Sequence, residues 1–244
     1  MNDSSAVQSV ERTFRLLEII CENGKIGITE AAKLSDLSKA TAFRLINSLC
    51  LLGYVQKSGD LYKPSVKILT LAAKIPFSDD VRMIFRPIIE KISDDCKETV
   101  HLVERNGNSA VYIDKIVPKT NFMIMASKIG MSVSLVKTAA GKAILSKLDD
   151  LEIEKIWNES CEEGKNFKDP AQFSAFMNDI SKARETGYSI EIEENEPGVC
   201  CVAVPVCDIA GNYNNAISIS APVFKTDRKK LETLGKNLLK YLPY

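Results

Sequence analysis

Residues 38–55 read SKATAFRLINSLCLLGYV, and this stretch decides the fold of the N-terminal part of the chain. At helical spacing its apolar side chains share one face: Ala42, Leu45, Ile46, Leu49 and Leu52. The opposite face carries small or hydrogen-bonding side chains with a single charge: Ala40, Phe43, Arg44 and Asn47. A helix that enters a DNA major groove meets the base edges with side chains of this kind. The stretch therefore predicts a recognition helix.

The residues before this stretch predict two further helices. The first has side chains at helical spacing and ends at Gly24, where a left-handed residue is expected: Val10, Thr13, Phe14, Leu17, Ile20 and Cys21. Thr29 as N-cap, with Glu30 in the first turn, predicts a short second helix whose Ala31 and Leu34 face inward.

A tight turn at Asp36 and Leu37 follows the short helix, and Ser38 caps the longer helix, which Gly53 closes. A short helix, a turn and a longer helix are the spacing of a helix-turn-helix motif.

A hairpin is predicted directly after this motif. Residues 54–57 and 61–63 read as two short strands around a glycine-containing turn. Such a hairpin makes the motif a winged helix-turn-helix. Lys57 and Lys63 flank the turn and are placed to approach phosphates.

Different roles are predicted for the polar residues of the motif. Arg44 has the forked donor geometry that suits guanine, whereas Lys39 and Thr41, near the start of the helix, suit phosphate. The candidate DNA contacts are Ser38, Lys39, Ala40, Thr41, Phe43, Arg44, Asn47, Lys57 and Lys63. Taken singly, each could equally be an ordinary solvated side chain, and winged helices also serve as protein–protein modules. The pattern thus indicates the fold and leaves the partner open.

Charge is unevenly divided along the chain. The 32 Lys and Arg residues balance the 32 Asp and Glu residues, but residues 1–76 hold ten basic and seven acidic residues, a net +3, which leaves −3 for the rest. A mildly basic N-terminal part suits a nucleic-acid partner.

The compartment is predicted from what the sequence lacks. No apolar run is long enough to cross a membrane, and the polar start MNDSSAVQS differs from a signal peptide. The seven cysteines contain no CxxC pair, which favours a reducing compartment. We therefore expect a cytoplasmic protein without membrane attachment.

A linker is predicted between the hairpin and the second half of the chain. Pro64 ends the wing, and apolar residues at helical spacing continue to Pro76, near which we place the domain boundary. Ser78, Asp79 and Asp80 are expected to cap the next helix, over residues 81–96, which contains Pro87: a residue that can kink it.

The second half predicts an α+β domain built on an antiparallel sheet. Strands are expected at 99–104 and 110–116, around an Asn106-Gly107 turn, and at 122–127, 199–208 and 213–221. Helices are expected at 138–145, 151–159, 170–185 and 227–241.

The sequence shows no evident set of catalytic residues. His101 is the one histidine, and its position in an alternating strand indicates a structural residue; a single histidine excludes an HExxH metal site and strains a Ser-His-Asp triad. Phosphate-binding GxxxxGK[ST] and GxGxxG loops are absent. Four acidic residues form what looks like a solvated run: Glu191, Glu193, Glu194 and Glu196. We expect no catalytic residues, no cofactor and no metal.

Blocks spread over nearly the whole chain resemble the IclR family of bacterial transcriptional regulators. They include the winged helix-turn-helix, ETVHLVERNGNSAVYIDKI at 98–116 and TAAGKAIL at 138–145. The most specific block runs from Gly187 to Pro222 and contains Glu193-Glu194, Gly198, CVAVP at 201–205 and Ser218-Ile-Ser220.

The resemblance implies a winged helix-turn-helix domain over 1–63, a linker helix over 64–80 and a GAF-like effector-binding domain over 81–244. It implies a homo-oligomer, dimer or tetramer, on palindromic operator DNA, a repressor more than an activator, with a small organic acid or aromatic catabolite as effector. The alternative is a winged-helix interaction protein whose C-terminal domain is structural and senses nothing.

The resemblance also implies an effector pocket: Ala139 and Ala140 through backbone N–H groups, and Glu191, Val199, Cys201, Ser218 and Ser220 through side chains. Cys201 could equally be a core residue, and the serines could simply bond the backbone.

Three departures from the family bear on this pocket. Glu191 stands where Asp is frequent, residues 133–137 lack the usual Pro and His, and Cys200 stands where Arg is common. Effector identity does not follow from them.

Overall fold

The computed structural model describes residues 7–74, 81–119, 125–162 and 169–242. The chain divides into two compact units, Met1–Pro76 and Phe77–Tyr244. Each unit has its own hydrophobic core. Within the described residues no helix combines the length and the apolar character needed to cross a membrane.

The first unit is a winged helix-turn-helix. Its elements are α1 (Gln8–Asn23), β1 (Ile26–Gly27), α2 (Ile28–Leu34), α3 (Lys39–Leu51), β2 (Val55–Ser58), β3 (Leu61–Pro64) and α4 (Lys67–Ala72). The strands form an antiparallel sheet in the order β1-β3-β2. The predicted helix ends at Gly24 and Gly53 are confirmed, since both glycines have positive φ values directly after a helix or its cap.

The core of this unit takes in one side of α1. The buried residues of α1 are Leu16, Ile19 and Ile20, whereas Val10, Phe14 and Cys21 are exposed. The helix carries two apolar stripes, and contacts with α3 and β3 decide which one is buried. Of the residues whose spacing predicted the helix, Ile20 is buried and Leu17 packs against the core.

Two prediction errors concern α2 and α3. Gly27, not Thr29, is the N-cap of α2, because its pairing with Leu61 in β3 holds it extended and the helix begins at Ile28. Leu34 is exposed, while Ser35 takes the buried position and its hydroxyl donates to Ala31 O.

Leu52 is also exposed rather than inward-facing. It is the C-cap of α3, and the chain turns away at Gly53.

The second unit is an α+β fold around one antiparallel sheet of six strands in the order β6-β5-β4-β9-β8-β7. Its strands are β4 (Thr99–Asn106), β5 (Ser109–Ile116), β6 (Ser132–Ser134), β7 (Ser189–Ile192), β8 (Val199–Val206) and β9 (Asn215–Pro222). Its helices are α5 (Val81–Cys96), α6 (Ala139–Leu145), α7 (Asp150–Glu162), α8 (Pro170–Thr186) and α9 (Arg228–Tyr241).

The predicted elements of this unit are found, except for one strand. Of the strand expected at 122–127, residues 122–124 lie outside the described residues and residues 125–127 are not in a strand. Two short strands, β6 and β7, had not been predicted. The expected caps Ser78, Asp79 and Asp80 also lie outside the described residues, as does the end of the linker.

The two faces of the sheet differ in what covers them. One face packs its apolar residues against α5 and α9, with Val100, Leu102, Val202 and Ile219 among those buried. On the other face, Ala203 and Ala216 share an apolar cluster with residues of α6. These small residues let α6 lie close to the sheet. Polar residues of the sheet that project to this side therefore lie on the same face as α6.

A β-bulge interrupts the pairing of β4 with β5. Leu102 pairs with Asp114 and Val103 with Tyr112, so Ile113 is the extra residue. Ile113 joins the core beneath α5, and the next residue, Asp114, also turns to α5, where its carboxylate binds Arg86 Nη1 at 2.7 Å. Tyr112 and Lys115 lie on the opposite face as a result.

Candidate functional site

A side-chain cap fixes the start of α3, whose outer face carries the predicted DNA contacts. Ser38 Oγ accepts a hydrogen bond from Thr41 N at 3.2 Å and lies 2.9 Å from Thr41 Oγ1. Its predicted contact residues are exposed, except for the half-buried Thr41: Ser38, Lys39, Ala40, Phe43, Arg44 and Asn47. Among the described residues nothing pairs with the Arg44 guanidinium. The fork is therefore available for an external acceptor.

The wing places its two lysines differently. Lys57 pairs with Tyr62 and Lys63 pairs with Gln56, so the two lysines lie on opposite faces of the hairpin. Lys57 is exposed and Lys63 is half-buried. Of the two, Lys57 is the better placed to meet a phosphate.

The second candidate site lies on the sheet face that carries α6. Lys115 in β5 pairs with His101 in β4, and His101 pairs with Ser218 in β9. The neighbouring row is Ser220 in β9, Cys201 in β8 and Glu191 in β7. Directly paired residues project to the same side of a sheet. Two adjacent rows of polar side chains thus face one space.

Hydrogen bonds connect these rows. Cys201 Sγ lies 3.2 Å from Ser220 Oγ, which lies 3.5 Å from His101 Nδ1. His101 Nε2 lies 2.8 Å from Ser127 Oγ. The Tyr112 ring packs on the imidazole with 4.6 Å between ring centroids. His101 thus stands at the centre of a continuous network.

Burial changes the acid–base properties of this site. It lowers the pKa of His101 to about 3, aided by the positive charge of Lys115, so the imidazole is neutral. It also raises the pKa of Glu191, although the N–H groups of Asn195 and Glu194 oppose this by donating to the carboxylate. The pKa of the Cys201 thiol is raised well above its usual value, which leaves a neutral thiol rather than a nucleophile.

The first turn of α6 meets this site. Thr138 caps the helix by accepting from Gly141 N at 3.0 Å. The N–H groups of Ala139 and Ala140 precede the first intrahelical bond and have no partner within the helix. Ser189 Oγ donates to Ala139 O at 2.6 Å and ties the turn to β7.

The structure brings most of the predicted pocket residues together. Glu191, Cys201 and Ser220 form one row, Ser218 stands in the next, and Val199 is buried two residues before Cys201. The sequence interpretation missed four side chains of the same network: His101, which it treated as a structural strand residue, and Tyr112, Lys115 and Ser127.

The prediction of a solvated acidic run is wrong for Glu191, which is buried, whereas Glu194 is exposed as predicted. Glu191 is 2% exposed and accepts from Glu194 N at 2.6 Å. The Glu194 carboxylate binds Lys142 Nζ at 2.6 Å, and Lys142, itself 1% exposed, also binds Asp179 at 2.9 Å. The turn after β7 is therefore fixed from both sides. Within the described ranges, no cluster of three or more His, Cys, Asp or Glu side chains is placed to hold a metal ion.

An exposed recognition helix with a wing, and a separate sheet that carries a buried network of polar side chains, are the architecture of a DNA-binding regulator with a small-molecule-binding unit. Family models match both units: the IclR helix-turn-helix domain over residues 9–59, and the bacterial transcriptional regulator IclR C-terminal domain over residues 76–241. The chain belongs to the IclR family of transcriptional regulators.

Curated relatives match along almost the whole chain. The HTH-type transcriptional regulator KdgR of Escherichia coli (strain K12) is 32% identical over 93% of this chain and 87% of its own length. XynR of the same strain is 31% identical over 98% of each. The transcriptional repressor IclR of that strain is 27% identical over 96% of this chain and 87% of its own length.

Solved structures share the fold. An IclR-family regulator from Brucella abortus superposes with a TM-score of 0.78 at 25% identity, covering 98% of this chain and 91% of the other. An IclR homolog of Microbacterium hydrocarbonoxydans, solved as a complex with 4-hydroxybenzoate, has a TM-score of 0.75 at 15% identity, covering 96% and 97%. At that identity the second likeness concerns the fold alone.

Proposed function

We propose that this protein is a cytoplasmic repressor that binds operator DNA through residues 1–63 and releases or retains it according to a small molecule bound within residues 81–244, with residues 64–80 as linker. The observation that carries the proposal is the coexistence of an exposed recognition face on α3 and a buried network of polar side chains in the other unit. Four relatives named as repressors agree with this direction of control.

The DNA contacts follow from exposure and chemistry. Arg44 reads a base edge, because its exposed fork offers two parallel donors to guanine. Lys39 and Thr41, in the first turn, hold a phosphate, and Lys57 holds another from the wing. Ser38, Ala40, Phe43, Asn47 and Lys63 complete the interface.

A homo-oligomer, dimer or tetramer, presents these helices to a palindromic operator. Exposed apolar residues recur at positions 7, 10, 14 and 21, from the N-cap of α1 along the helix, which is the spacing of a helix-pairing seam: Val7, Val10, Phe14 and Cys21. The same stripe on α1 of a second copy can pack against it, as in a two-fold symmetric dimer.

The effector is a small organic acid or an aromatic catabolite. The pocket supplies hydroxyl groups from Ser218 and Ser220, the Cys201 thiol, the Glu191 carboxyl group, the Val199 side chain and the first-turn N–H groups of Ala139 and Ala140. The protein works by binding alone, without catalysis, cofactor or metal.

The test is fluorescence anisotropy with DNA from upstream of the gene for this protein. Specific binding should weaken steeply with salt, because each phosphate contact releases counterions. Absence of binding at low salt would instead favour the winged-helix interaction protein with a structural second unit.

A further inference from the structure

Among the described residues, no direct contact neutralises the charge of Lys115. Its ammonium group donates to Ser127 O at 2.6 Å and to Met125 O at 3.4 Å, and both acceptors are neutral carbonyls. Within the described parts of the chain no carboxylate lies at ion-pair distance from its Nζ. Burial lowers the pKa of Lys115, and Glu196 opposes this only from a distance.

The position of Lys115 is fixed relative to the polar network. It pairs with His101 across β4 and β5, so the two side chains lie together on the pocket face. Ser127 is held twice: its carbonyl accepts from Lys115, and its hydroxyl bonds His101 Nε2. Residues 125–127 are therefore attached to the pocket by two side chains from neighbouring strands.

A carboxylate is a stronger partner for an ammonium group than a main-chain carbonyl, because both partners then carry charge. Neither acid near this face contacts Lys115: Glu191 stands on β7 at the far edge of the sheet and accepts from Glu194 N and Asn195 N, and Glu196 acts on the ammonium group only through its charge. Among the described side chains of this face, an incoming monoanion thus meets the Lys115 ammonium group, which is held by neutral carbonyls that it can displace.

We propose that Lys115 is the residue that recognises the charge of the effector, and that a bound carboxylate takes its ammonium group from the carbonyls of Met125 and Ser127. This inference rests on the proposed effector function of the same pocket and names the ligand class: a small monocarboxylate whose uncharged part faces Ser218 and Ser220. Loss of the Lys115 contact removes one of the two side-chain hydrogen bonds described for residues 125–127 and leaves the one from Ser127 to His101. Ligand charge is thereby converted into a change at this segment.

The experiment uses the single histidine of the chain as reporter. The full-length protein is labelled with ¹⁵N-histidine, so the imidazole signals belong to His101. Acetate and 4-hydroxybenzoate are each compared with their amides, acetamide and 4-hydroxybenzamide, at about 0.1 M for the small pair and with sodium chloride matching the ionic strength, since screening alone changes electrostatics.

Both carboxylates should shift the imidazole signals of the wild-type protein, and both amides should leave them unchanged. Lys115→Met should abolish the shifts, whereas Lys115→Arg should keep them because it retains the charge. Lys137→Met is the matched control, since Lys137 is another half-buried lysine but lies beside Trp157 and Phe176.

Equal shifts in Lys115→Met and wild type would overturn the inference, and so would wild-type signals that respond to no carboxylate or respond equally to the amides. The wild-type acid–amide comparison decides the question even if Lys115→Met does not fold. DNA binding of the same wild-type preparation is measured separately, so a failure of the proposed function is seen as lost DNA binding and a failure of this inference as an unresponsive His101.

Discussion

The two functional surfaces of this protein treat polar side chains in opposite ways. On α3, Arg44 and Asn47 are exposed, and nothing described in the chain pairs with the Arg44 guanidinium. In the pocket, His101 and Ser220 are buried and already bonded to neighbours. The first surface offers unpaired donors to an outside partner. In the second, the side chains already bond one another, so a ligand must break some of these hydrogen bonds to bind.

This difference predicts where substitutions are felt. A changed residue on α3 should alter DNA affinity and leave stability almost unchanged, because surface substitutions away from caps and ion pairs cost little. A changed residue in or beside the pocket should alter the free energy of unfolding, because a buried polar group left without its partner is costly.

Gly141→Ala is expected to give the largest effect. A Cβ atom at Gly141 would lie 2.2 Å from Leu135 O and 2.4 Å from Leu135 Cα, and these are backbone atoms that cannot rotate away. We expect a loss of about 3 kcal/mol or more in chemical denaturation of the second unit. Gly198→Ala is the control: its φ of 79° strains the new residue but nothing lies within 4 Å of the new Cβ, so its loss should be about 1 kcal/mol. Equal losses of unfolding free energy in the two variants would contradict the close approach of Gly141 in α6 to the backbone of Leu135.

His101→Gln should flatten the dependence of stability on pH. The pKa of this histidine is about 3 in the folded chain against 6.5 for the free side chain, so the unfolded chain binds the proton more readily. Wild-type stability is therefore full above about pH 6.5 and falls as the pH drops toward 3, by roughly 3 kcal/mol at pH 4.

The measurement is denaturant unfolding of wild type and His101→Gln from pH 7 to pH 4, taken as a difference. Glu191 has a raised pKa and the opposite pH dependence, but it is present in both proteins and cancels. Parallel pH profiles would show that the imidazole is not buried as a neutral group.

Arg44→Lys should separate base recognition from charge on the exposed surface. The lysine keeps the positive charge but loses the bidentate fork, so operator affinity should fall by about 1–3 kcal/mol while non-specific affinity stays constant. Thermal unfolding should be unchanged, because Arg44 has no partner to lose among the described residues. Anisotropy titrations with operator and scrambled DNA measure both quantities; equal losses on the two DNAs would assign Arg44 to phosphate.

Lys57→Ala is expected to give the smallest effect. One exposed lysine in β2 contributes one phosphate contact, so the slope of log affinity against log salt should become shallower by about 1, equally for both DNAs. Lys63→Ala, on the other face of the hairpin, should change the slope less. The opposite order would exchange the roles of the two lysines.

Local chemistry made much of the fold predictable. Ser38, Gly24 and the Asn106-Gly107 turn act on their own neighbours, and each is found at the predicted place. Which stripe of α1 is buried depends instead on α3 and β3, elements separated from it in sequence. That choice is not encoded in the periodicity of α1.

The pocket shows the same limit. The resemblance to a family supplied Glu191, Cys201, Ser218 and Ser220, because these positions sit in recognisable blocks. His101 lacked any local signal of function, since its partners Ser127 and Ser220 are distant in sequence. Lys115 carries no local signal either, because the bulge at Ile113 decides which face of the sheet its side chain lies on.

The bulge at Ile113 reverses the sign of the charge that β5 contributes to the pocket. With regular alternation from Tyr112, Asp114 would project beside His101 and Lys115 would project toward Arg82 and Arg86. The extra residue sends Asp114 to the arginines and brings the lysine to the pocket. One inserted residue therefore pairs the acid with its cations on one face of the sheet and makes the other face attractive to anions.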